Sequence, residues 1–336
     1  ANLSNWRFTD GVSYVFPVGT SIPVGGYLVV GRNVSNLHAR YTQLNGANCI
    51  GDYSGELSNR GERVALSRPD DSALPDQDFV VVDEVTYGDG NRWGRWADGG
   101  GSSLELIDAR SDNRWAMNWA GSDETQKAPW TLVEHTGVLD HAIPDRGPAD
   151  ELQILLEERG ECLVDSVETL AVGGSNLVAN GTFESGVAGW TIQGTHILSG
   201  LETSEGYAST QSLHLVNTAK GDNTVNRVET GLTSTLSEGQ TATIRARVRW
   251  LAGSRHIILR YNHMLEAPGT LDVPTDLGSP GLQNSRYAAN TGPAIQDVTH
   301  FPVLPAANDP VTVTARVQDP DGLQTLSVKW RHDPAT

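Results

Sequence analysis

Apolar and polar residues alternate along most of this chain in short runs separated by glycine, proline and aspartate. The plainest case is TIRARVRWL (243–251). There Ile244, Ala246, Val248 and Trp250 share one side, and Arg245, Arg247 and Arg249 share the other. A period of two belongs to a strand with one face buried, so this run predicts an antiparallel strand whose arginine row is its solvated face. Runs rich in β-branched and aliphatic residues recur at 27–33, 62–68, 79–87, 103–108, 152–158, 162–170, 212–217, 256–262, 311–317 and 325–331. No helical periodicity persists beyond two turns. The pattern predicts an all-β chain of many short strands.

Composition adds to this picture. The 336 residues include 36 Gly and 16 Pro, many in turn dipeptides such as DG and GG that punctuate short strands. That length suffices for two or three separate cores. A formal net charge of −17 sets the chain against phosphate backbones and anionic membranes, so no nucleic-acid partner is expected. No apolar run reaches the roughly 18 residues that a spanning helix needs, so no membrane insertion is expected. Cys49 and Cys162 lie far apart without a Cys-x-x-Cys spacing, and read as two buried thiols rather than a zinc, redox or disulfide pair.

Four segments follow one another in the first third: LSNWRFTDGVSYVFPVGTSIPVGGYLVV (3–30), GDYSGELSNRGERVAL (51–66), VVDEVTYGDGNRW (81–93) and ADGGGSSLELID (97–108). Gly25 and Gly26 turn the chain into 27–30, and LSNRGE turns it back into RVAL. These segments resemble bacterial lamin tail domains, which implies an immunoglobulin-like β-sandwich over 1–123. Family members place two strands before LSNW. The resemblance therefore implies a domain lacking its first strands, and a chain that is a piece of a longer protein. LGSPGLQNS (277–285) resembles the family's closing tail, so the segment 277–286 is expected to return to this domain.

NLVANGTFESGVAGW (176–190), SLHLVN (212–217) and ATIRARVRW (242–250) resemble the opening strands of galactose-binding-like jelly rolls of the carbohydrate-binding-module type. APWTLVEHTGVLDH (128–141), ELQILLEERGE (151–161) and CLVDSVETL (162–170) resemble the closing strands of the same family, yet they come first. A truncated jelly roll followed by a new one would leave two half-domains with exposed edges. A single circularly permuted jelly roll over 124–274, joined through AVGGSN (171–176), leaves every strand a partner. Termini that lie close together are what tolerate such a permutation. This domain would be inserted near the end of the lamin tail domain and followed by a linker at 275–292. Residues 293–336 resemble the first three strands of an immunoglobulin-like module, with QDPDGL (318–323) as a turn. The expected architecture is thus an immunoglobulin-like sandwich, an inserted jelly-roll sandwich and a partial third β-module.

Catalytic patterns are missing from the sequence: no nucleophile elbow, His-Glu-x-x-His helix, P-loop or dinucleotide fingerprint. His135 and His141 lie near Asp140 and Asp145, but nothing pairs them with a nucleophile. The jelly-roll resemblance implies one structural Ca²⁺. Asp165 and Glu184 would hold it, with carbonyl oxygens from Thr182 or Gln211 and a further carboxylate from Glu202 or Glu205. Ca²⁺ takes about six to eight hard oxygens from several segments, so such a set is chemically reasonable. Asp319 and Asp321 read as turn residues. For stacking on a sugar ring the candidates are Tyr207, Trp250 and Tyr261, with Trp190 read as core.

The chain is expected to be a non-catalytic modular segment of a large secreted or cell-surface bacterial protein, serving adhesion, spacing, or the binding of glycans or other surface proteins. The alternative is a carbohydrate-binding accessory region of an extracellular hydrolase or of a spore-coat-H-like kinase protein; the lamin tail resemblance implies the latter setting, since such kinase domains accompany lamin tails in that family. Nuclear scaffolding of the lamin kind is excluded by the missing coiled-coil heptads and the acidic balance.

Overall fold

The computed structural model describes residues 1–336 apart from 71–77, 91, 141–146, 222–224, 262–263 and 331–336. The fold is all-β. Among the described residues there is one α-helix, the seven-residue Val34–Arg40, whose first turn is capped by the Asn33 side chain on the Asn36 amide. No helix among them is long and apolar enough to cross a membrane. The chain divides into two compact units, one of Ala1–Asp98, Ser103–Ser122 and Gly278–Thr336, the other of Gly99–Ser102 and Asp123–Leu277.

The first unit begins with β1 (Arg7–Asp10), β2 (Val29–Gly31), β3 (Cys49–Gly51), β4 (Arg63–Pro69), β5 (Phe79–Thr86), β6 (Leu104–Leu106) and β7 (Trp119–Gly121). β1, β4 and β5 form an antiparallel sheet in that order, β2 pairs with β3 in parallel, and β6 pairs with β7 antiparallel. Gly61, at φ +97°, makes the turn into β4, because a Cβ there would stand 2.3 Å from the Tyr87 carbonyl oxygen. Glu62 completes that turn by accepting from the Ser58 amide at 2.6 Å and the Tyr87 hydroxyl at 3.1 Å. Glu105 of β6 is 4% exposed and accepts from the hydroxyls of Ser103, Ser279 and Ser285. Asn284 Nδ2 donates to the Leu106 carbonyl at 2.9 Å. Part of the expected linker at 275–292 is therefore bonded to β6 rather than strung out as a spacer. Buried polar groups demand partners, and the serines supply them.

The second unit carries β8 (Trp130–Val138), β9 (Ala149–Leu156), β10 (Gly160–Ala171), β11 (Trp190–Ile192), β12 (Gly200–Glu202), β13 (Ser212–Asn217), β14 (Val228–Leu236), β15 (Thr241–Gly253), β16 (His256–Tyr261) and β17 (Leu265–Thr270). They make two five-stranded sheets, in the orders β12-β13-β10-β15-β8 and β11-β14-β9-β16-β17. One hydrophobic cluster draws on both sheets, as in a sandwich. Ile244, Ala246 and Val248 are fully buried there and Trp250 is 1% exposed, so the alternation of β15 marks its core face. β10 lies between β13 and β15, which puts 162–170 in the same sheet as 212–217 and 242–250. Beyond β10, Asn176 Oδ1 accepts from the amides of Thr169 at 2.9 Å and Val178 at 3.0 Å. The chain thereby turns at AVGGSN without leaving the unit.

The remaining strands, β18 (Ala294–Phe301) and β19 (Thr312–Gln318), form an antiparallel pair. The third strand expected at 325–331 does not form: 325–330 joins no ladder among the described residues, and Arg331 lies outside them. A strand exists only through its ladder, and two strands alone offer little face to pack a third. In QDPDGL, Asp319 accepts from the Asp321 amide at 2.9 Å and the Gly322 amide at 3.2 Å, which is turn chemistry. Arg110 joins Asp321 and Asp108, each at 2.7 Å. Cys49 and Cys162 are both buried free thiols.

Candidate functional site

Side chains of β15 that do not enter the core project from the outer face of its sheet, and the strand register arranges them in rows. Trp130, Arg249 and Leu163 share one row. Leu132, Arg247 and Asp165 share the next, and Glu134, Arg245 and Glu168 the third. The register shift between Asp165 and Glu168 is a bulge at Ser166, φ 51°, which keeps Val167 turned into the core while Glu168 rejoins the outer face.

The arginine row is not the simple solvated face that alternation alone predicts. Arg245 donates to Glu168 and lies 3.5 Å from Glu134. Arg249 donates to Glu205, and its guanidinium stands 5.0 Å from the Trp130 ring centroid. Arg247 stands 4.5 Å from the centroid of Tyr207, and Tyr207 meets Trp130 edge-on with centroids 6.0 Å apart. The cause is the loop after β12, which lays Tyr207 across the face. Leu132, Asn176, Thr182, Tyr207, Arg245 and Arg247 help line a cleft of about 440 Å³. Tyr207 is 43% exposed, so part of its ring is open.

Of the three aromatic candidates for sugar stacking, only Tyr207 is at this cleft. Trp250 and Tyr261 are 1% and 0% exposed in the core cluster, and an enclosed ring offers no face to a sugar. Trp190, read as core, is buried against Phe183 at 5.1 Å. Trp130 was missed among the candidates. Its signal was available: Trp130, Leu132 and Glu134 alternate on one side of β8, as the arginines do on β15.

Asp165 and Glu184 both serve the same loop. Asp165 is fully buried and accepts from the amides of Ser166 (2.5 Å) and Tyr207 (2.7 Å) and from the Ser209 hydroxyl (2.9 Å). Glu184 accepts from the Gln211 amide at 2.9 Å and from both the amide and hydroxyl of Thr210 at 3.1 Å. Desolvation pushes the Glu184 pKa up, but the Gln211, Thr210 and Ser209 donors together hold it below the usual carboxylate range. Gly181 lets this segment meet β10, since a Cβ there would stand 2.0 Å from the Val167 carbonyl oxygen.

The oxygens expected around Ca²⁺ divide into two groups. Asp165 Oδ1 accepts a single hydrogen bond and keeps a lone pair; the Gln211 carbonyl accepts from the Ser209 hydroxyl at 3.0 Å, and it is the Gln211 side-chain Oε1 that is buried without a hydrogen-bond partner. Two carboxylates with an unsatisfied amide oxygen are the hard donors such an ion takes. Glu205, in contrast, is engaged by Arg249; burial pushes its pKa up, Arg249 opposes this, and Glu202 and Asp123 add to it. Glu202 is turned to the Ser204 amide and hydroxyl. Thr182 lies exposed at the cleft. No group of three or more His, Cys, Asp or Glu is placed to hold a metal among the described residues. His135 is exposed on β8, and His141 and Asp145 lie outside the described residues. Compared with known proteins, the chain matches no family model, no curated protein and no solved structure.

Proposed function

We propose that the second unit is a carbohydrate-binding module, and that the chain is a non-catalytic modular segment of a secreted or cell-surface bacterial protein. The observation that carries this reading is Tyr207: a partly open aromatic ring, edge-on to Trp130 and beside a guanidinium, in a cleft with amide and hydroxyl groups at its margin. Pyranose CH groups stack on such rings, and polar side chains around them fix the sugar's orientation. The lamin tail resemblance of 1–123 supports the modular setting. On the alternative reading, this unit serves a hydrolase or kinase domain elsewhere in the same reading frame. Binding on a glycan array, weakened about fivefold or more by Tyr207→Ala, is the expected result, since one aromatic contact is worth about 1 kcal/mol. A blank array would point to a purely structural role.

We also infer that Asp165, Glu184 and Gln211 hold a structural Ca²⁺ beside this face. EDTA is expected to lower the melting temperature and Ca²⁺ to restore it; an ion at about 100 times its Kd is worth about 2.7 kcal/mol. A melting temperature indifferent to both would remove the site.

A further inference from the structure

The three outer-face arginines differ in a way that sorts possible ligands. Arg245 is neutralised by Glu168 with Glu134 close by, and Arg249 by Glu205. Arg247 pairs with no carboxylate among the described residues; its guanidinium rests on the Tyr207 ring. Its register neighbours are Leu132 on one side and Asp165 on the other, and Asp165 is taken up by Ser166, Tyr207 and Ser209. A half-buried guanidinium, braced on an aromatic ring and lining a cleft, is an anchor awaiting a planar anion.

Resting on the sugar-binding reading above, we propose that the cleft takes a glycan bearing an isolated carboxylate, a uronic acid residue within an otherwise neutral chain, and that Arg247 receives that carboxylate beside the sugar ring on Tyr207. Charge decides between sparse and dense polyanions. The protein carries a net −17, and Glu134 and Glu168 flank Arg247 on the side of Arg245. A second anion one sugar along would meet those carboxylates, and a densely sulfated chain would meet the field of the whole protein. One anion fits; a row of them does not.

The test uses the intact chain and three ligands, read by calorimetry: a neutral xylo-oligosaccharide bearing one glucuronic acid, the same compound with its carboxyl reduced to the alcohol, and a densely sulfated oligosaccharide. The expected result is binding of the first about tenfold or more tighter than the second, the difference that one charge-assisted hydrogen-bonded pair supplies, and weaker binding still of the third. Arg247→Gln should erase the preference for the acid, so that the acidic and reduced compounds bind alike, and Arg247→Lys should keep only part of it. Equal affinity for the acidic and reduced compounds would overturn the assignment of Arg247 and leave the sugar platform standing. Tighter binding of the sulfated compound would overturn the single-anion reading. Absence of binding to all three, with Tyr207→Ala also without effect on a glycan array, would overturn the platform itself.

Discussion

Trp250→Ala is expected to destabilise the second unit by about 3–5 kcal/mol, the range for truncating a large buried aromatic. Trp250 is 1% exposed, belongs to the cluster shared by both sheets, and donates from Nε1 to the Gly253 carbonyl at 3.1 Å. Gly101 packs so closely on it that a Cβ there would stand 2.8 Å from the indole ring. The void would therefore be walled by a neighbouring segment as well as by strands, with little freedom to collapse. Urea unfolding followed at fixed pH checks this, through a fall in midpoint at unchanged slope. A loss below about 1 kcal/mol would mean that the indole is not a central part of the core. Tyr207→Ala is the contrasting variant. With its ring 43% exposed, it should cost about 1 kcal/mol or less in stability while carrying its effect on binding.

The second large effect is a loss of stability in mild acid through His196. This residue is fully buried at the end of the short turn Gly194–His196, and its Nε2 accepts from the Leu156 amide at 3.1 Å. An accepting Nε2 requires the neutral ring, and burial pushes its pKa down to about 4. In the unfolded chain the same ring titrates near its ordinary 6.5. Between those values the unfolded state binds more protons than the folded one. Stability is therefore complete above about pH 6.5 and declines as pH falls, by about 3 kcal/mol at pH 4. His196→Gln, which keeps an acceptor but cannot charge, should remove that portion of the pH dependence. If the variant and the parent show parallel stability curves from pH 7 to pH 4, His196 is not the acid-sensitive group.

Much of the fold could be read from particular residues. Ile244, Ala246, Val248 and Trp250 alternate with three arginines, and that alone places the apolar four together in the core of the second unit. LSNRGE turns as expected because Gly61 takes a backbone conformation closed to other residues. Asp165 and Glu184 were singled out together through a resemblance, and both meet one loop. Residues 325–330 join no ladder among the described residues for the opposite reason: the composition suits a strand, but propensity supplies no partner. Trp250 and Tyr261 show the same limit. Aromatic type says nothing about whether a second layer covers the ring.

By itself, then, the sequence determined the all-β class, the strand faces and the turns that depend on glycine and aspartate. These follow from forces acting between residues a few positions apart, chiefly backbone sterics and side-chain alternation. Only the tertiary structure decided that the loop after β12 crosses the arginine face, that Glu205 and Glu168 neutralise Arg249 and Arg245, and that Arg247 lies over Tyr207 with no acid of its own among the described residues. Such pairings depend on which distant segments the sheets bring together. Charge and ring contacts act through space, and the order of residues along the chain does not encode that distance.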